Sequence, residues 1–147
     1  MDRGTAVVLT ACAGGLIALQ APINSGLGRQ VGTFQAALVS FAIGTLALAV
    51  IAALSKGGLA SISGVRSVSW YYLCGGLLGA VYVTSVLVTV RTLGAGGVTA
   101  ATIAGQLTLS LIVDQLGVLG VEQRPITLAR LGGVALLAIG VFLVVRD

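Results

Sequence analysis

Charged residues are set apart by long apolar runs along most of the chain. None falls between Arg3 and Arg29, between Arg29 and Lys56, between Arg66 and Arg91, or between Arg91 and Asp114. Each run is about as long as a helix that crosses a bilayer, roughly 20 residues. The apolar positions show no alternation of period two, which argues against a membrane barrel. Backbone polar groups in hydrocarbon must be paired within their own segment, which leaves helices. The pattern predicts five spans: Thr5–Ile23, Val31–Leu54, Trp70–Val90, Val98–Val118 and Ile126–Val145. The expected fold is an all-α integral membrane protein, a single five-helix transmembrane domain over residues 1–147. Its short connections should make sequential helices antiparallel neighbours. The longest connection, Ser55–Ser69, reads as a solvated loop. Trp70, Tyr71 and Tyr72 open the third span, where amphipathic rings suit the membrane interface.

Small residues refine the packing picture. Gly32, Ala36, Ser40 and Gly44 stand four apart in the second span, and Gly75 and Gly79 form a GxxxG in the third. Stripes of this kind let two helix backbones approach closely, so all six are expected to pack helices.

Composition removes several classes of function. Only 8% of the 147 residues are charged, against roughly 25% in a soluble domain. The net charge of +4 is spread over single loop residues with no basic stripe, so nucleic acid is not an expected partner. With no histidine and only Cys12 and Cys74, a zinc site lacks ligands. Both cysteines lie in apolar segments and are expected to be buried free thiols. Leu9-Thr10-Ala11-Cys12 resembles a lipoprotein cleavage box, but the apolar run continues past Cys12 to Ile23, as expected of a first membrane helix. No paired carboxylates, histidine base or phosphate loop supports an enzyme, and no cofactor is expected.

Polar groups inside the spans carry what chemistry remains, because they are costly there and often functional. Thr102, Gln106, Ser110 and Asp114 recur every four residues in the fourth span. Each step drifts only about 40° around the helix, so they form one slowly winding stripe. Either the stripe faces a water-accessible pathway, or Asp114 merely reaches the headgroups from a helix end. Asp114 and Arg130 flank the fourth turn and should lie at similar depth, as an ion pair or gate. Asp114 is then either a coupling group that exchanges a proton or a structural clasp. Tyr82, Ser85 and Thr89 share a face of the third span, although hydroxyls there can bond their own helix. Gln20 and Asn24 flank Pro22, which either kinks the first helix into a binding site or marks its end near Asn24.

Charge bias gives a weak orientation. Arg3, Lys56, Arg66, Arg124 and Arg130 fall on one side, against Arg29, Arg91 and Arg146 on the other. So small a bias predicts insertion in both orientations, or dual topology.

Several blocks together resemble the YdcZ family of bacterial inner-membrane exporters, within the drug/metabolite transporter superfamily. They are Gln20-Ala21-Pro22-Ile23-Asn24 with Leu27 and Val31-Gly32-Thr33, then Trp70-Tyr71-Tyr72-Leu73 with Gly75-Gly76-Leu77-Leu78-Gly79-Ala80. Gly105-Gln106-Leu107, Asp114-Gln115-Leu116-Gly117, Pro125-Ile126, Arg130-Leu131 and Gly133 follow in order. The resemblance implies a five-helix unit equivalent to half of a ten-helix transporter, working as an antiparallel pair with itself or a paralogue. The family often has a histidine where Gln115 stands and a tryptophan pair where Trp70-Tyr71 stands, so no proton-handling role of a histidine carries over. The function expected is a secondary transporter unit exporting a small polar or cationic solute. A pathway or coupling site is expected among Asp114, Gln106, Ser110, Thr102, Gln20, Asn24 and Tyr82. A non-transporting assembly subunit and a passive channel are the alternatives.

Overall fold

The computed structural model describes residues 2–146, and among them no strand occurs. Four helices are long and apolar enough to cross a membrane by length and composition. They are α1 (Arg3–Val31), α2 (Thr33–Leu54), α3 (Gly75–Leu116) and α4 (Leu128–Val145). At 42 residues, α3 would run about 63 Å if straight, twice the roughly 30 Å of a bilayer core. It is broken at Gly94 (φ 68°, ψ 170°), a backbone region that only glycine enters without strain. The halves on either side, 75–93 and 95–116, are the third and fourth expected spans.

α1 is longer, and the breaks at Gly32 and Gly94 are shorter, than the sequence pattern predicts. α1 continues through Pro22 and Asn24 to Val31, so the possible end near Asn24 is overturned. Residues expected to link the first two spans are helical instead, and α1 meets α2 at Gly32 alone. Gly32 takes φ 98° and ψ 153°, so it turns the chain and does not sit in a helix as a packing residue. The physical reason is shared with Gly94. A continued helix pairs its own backbone groups, whereas a loop at the membrane must find other partners. The stretch between α2 and α3 also departs from a plain loop. It winds as 3₁₀ turns over Gly58–Ser67 and Trp70–Cys74, with Ser63 and Ser67 hydroxyls donating to carbonyls three residues back. The N-terminus of α1 is capped by Asp2, whose carboxylate accepts from the Thr5 N–H at 2.8 Å. Those Thr5 bonds hold the Asp2 pKa below its usual value.

The chain forms two compact units, residues 1–91 and 92–147. In the first, α1 and α2 are an antiparallel hairpin and 75–91 packs beside them. Its core is Ala36, Ala37, Val83 and Leu87, with Leu27 and Tyr82 against it. Ala36 and Leu87 are wholly buried. In the second unit, 95–116 and α4 pair antiparallel. The site of a Gly97 Cβ lies 3.4 Å from Val145 at one end, and Asp114 meets Arg130 at the other. Apolar side chains cover most of the outer surface, and α4 buries none of its own residues. Cys12 is exposed and Cys74 half-buried, contrary to the expectation of buried thiols. Their apolar neighbours face outward, as hydrocarbon-facing positions do.

Candidate functional site

Within the first unit, Gln20 and Asn24 stand one turn apart on α1, either side of Pro22. The proline has no N–H, so the carbonyl four residues back loses its usual partner. Asn24 is 6% exposed. Its Oδ1 accepts from the Ser40 hydroxyl of α2 at 2.6 Å. An asparagine amide has two donors and an acceptor to satisfy, and Ser40 answers only one end of it. Asn24 also lines a narrow crevice of about 10 Å³, room for about one water, with Gln20, Tyr82 and apolar neighbours. Sequence reasoning named Gln20, Asn24 and Tyr82 separately, and the structure places all three on this one crevice.

A larger cavity of about 210 Å³ shares Gln20 and lies beside Ser40, Phe41, Gly44 and Thr45. Gly44 was expected to pack a helix, yet a Cβ built on it would meet nothing within 4 Å. The same holds for Gly75, whereas a Cβ on Gly79 would touch the Phe41 ring at 3.6 Å. Ala36 and Ser40 do lie at the α1–α2 contact. An open groove of about 530 Å³ follows the other side of 75–93, along Thr84, Ser85 and Thr89. There the Ser85 and Thr89 hydroxyls donate to Val81 and Ser85 carbonyls of their own helix. Tyr82 does not line that groove with them.

In the second unit, Arg130 Nη1 donates to Asp114 Oδ2 at 3.2 Å. The turn between them is held by further bonds. The Asp114 carbonyl accepts from the Arg124 N–H at 2.8 Å. Gln115 Oε1 accepts from the Ile126 N–H at 2.7 Å, and its own carbonyl accepts from Gln123 Nε2 at 2.8 Å. Thr127 then caps α4 by accepting from the Arg130 N–H. Sequence reasoning missed Gln115. Its signal was the place of a long amide at a helix end, one residue before the Leu116-Gly117 stop. The rest of the polar stripe is differently placed. Thr102 is half-buried, and Gln106 and Ser110 are exposed. Among the described residues neither the Gln106 nor the Ser110 side chain has a hydrogen-bond partner within the chain.

Long apolar helices, an outer surface that is apolar almost throughout, and a part-buried polar contact between α1 and α2 define a helical membrane protein. The family's sequence model, described as "Putative inner membrane exporter, YdcZ", matches residues 5–143, and the chain belongs to that family. Neither a curated relative nor a solved structure matches it at a significant level.

Proposed function

We propose that the chain is the unit of a secondary exporter, and that its solute passes the Gln20–Asn24–Tyr82 cluster. The observation that carries this is Asn24, a 6% exposed residue whose Oδ1 is bonded to Ser40 while its amide nitrogen keeps some exposure and has no partner in the chain. Polar groups in that setting are expensive and recur along solute pathways. The unit works as two copies in opposite orientation. Support comes from α4, which buries nothing, and from Gln106 and Ser110, whose side chains lack partners within one chain. Inverted pairing is a common transporter design. In this reading the Asp114–Arg130 pair holds a helical hairpin closed near the membrane edge.

The direct test compares the media of cells expressing the wild type and Asn24→Leu at equal membrane levels. At least one small solute should accumulate outside wild-type cells and fall to background with the variant. Identical media would remove the exporter reading. A separate test addresses orientation. Reporters fused to the C-terminus should be active on both sides of the membrane, and a reporter active on one side alone rules out identical antiparallel copies.

A further inference from the structure

We infer that the solute taken by the first unit is uncharged, a small molecule carrying amide or hydroxyl groups. This rests on reading the Gln20–Asn24 cluster as the solute site.

The lining carries the argument. The crevice is built from Ile17, Gln20, Ala21, Asn24, Tyr82 and their apolar neighbours, and the adjoining cavity adds Ser40 and Thr45. Every polar group there is neutral. The cavity offers the Gln20 carboxamide and the Ser40 and Thr45 hydroxyls, and the one-water crevice beside Gln20 adds Asn24 and Tyr82, so both donors and acceptors are present, the complement of an amide or an alcohol. The assignment of Asn24 oxygen and nitrogen does not alter this, because the Ser40 hydroxyl can bond to either. One end of the amide is left without a partner in the chain.

A charged solute would lose its hydration there and find no counter-charge. The acidic residues of the chain are Asp2, Asp114, Glu122 and Asp147, so none lies between Arg3 and Val113. Asp2 is bound to Thr5 at the start of α1, about six turns before Asn24. A second copy changes little. Its Asp114 is held by Arg130, and its Glu122 stands in an exposed turn beside Arg124. A cation would be left with neutral carboxamide and hydroxyl oxygens and no carboxylate. An anion fares no better, since no lysine or arginine lines either space.

Matched probes of one shape and different charge test this on purified full-length protein. The first set is nicotinamide, nicotinate and the ring-methylated nicotinamide cation. The second is choline and its uncharged tert-butyl carbon isostere. Each is titrated while thermal unfolding is followed, since a ligand of the folded state raises the melting temperature. Nicotinamide and the choline isostere should raise it saturably. Their charged counterparts should need about tenfold higher concentration or more. Gln20→Leu should abolish the neutral response, and it alters an exposed residue, so the variant folds even where Asn24→Leu does not. A Gln20-dependent response to the cation or the anion at equal or lower concentration overturns the inference, as does no response to either neutral probe. The media comparison separates the two readings. Export of a charged solute leaves the exporter standing and sinks the inference, whereas neutral binding without export does the reverse.

Discussion

Ala36→Leu should lower the stability of the protein by about 1–3 kcal/mol, the usual cost of forcing extra methylenes into a filled contact. Ala36 is fully buried where α2 crosses α1. Its Cβ lies 3.7 Å from the position a Gly28 Cβ would take, and Leu87 closes the same space from 75–93. The Arg91 guanidinium rests on Gly28 as well, 3.3 Å from that position, so this corner has little room to yield. Thermal unfolding in mild detergent measures the effect. Gly44→Leu is the control, because its side chain enters the open cavity beside Gln20 and should leave the melting temperature nearly unchanged. Equal melting of Ala36→Leu and wild type would show that the α1–α2 crossing is looser than described.

Neutralising one member of the Asp114–Arg130 pair should cost about 1–3 kcal/mol, the penalty of leaving its partner unsatisfied. The pair keeps some contact with solvent, its side chains being 31% exposed for arginine and 26% for aspartate, so the larger cost of a fully buried pair does not apply. Asp114→Asn and Arg130→Gln should each lower the melting temperature, and the double variant should recover much of the loss. This double-mutant cycle isolates the pairwise part. A proton-coupling role predicts otherwise. Under it Asp114→Asn melts like the wild type and loses pH-driven flux in proteoliposomes. The held turn, with Arg124, Gln123 and Ile126 all bonded to residues 114–115, supports the clasp. Independent, additive losses from the two single variants would refute it.

The second-span stripe shows how far the sequence could be read. Gly32, Ala36, Ser40 and Gly44 share one spacing and look equivalent as letters. In the folded chain one turns the backbone, one fills a contact, one bonds Asn24 and one borders a cavity. Period four reports a shared face, but what stands opposite each position depends on α1 and 75–93, which the spacing does not contain. The spans themselves were legible because charges interrupt them. Their ends were not, since Asn24–Gln30 and Arg91–Gly97 look like loops by composition. Helical pairing of the backbone wins over glycine's weak propensity there. The pairing of Asp114 with Arg130 could be read from their symmetry about a turn. The part of Gln115 could not, because a glutamine signals nothing until the neighbouring turn has a shape.

The single-residue bend at Gly32 bears on how the protein is made. Because one residue joins α1 to α2, no long loop separates the two helices. The two helices should therefore leave the insertion machinery as one hairpin, carrying Arg29 across together with them. The charge that orients this hairpin must then be read at its open end, from Arg3 and Lys56, before the rest of the chain has emerged.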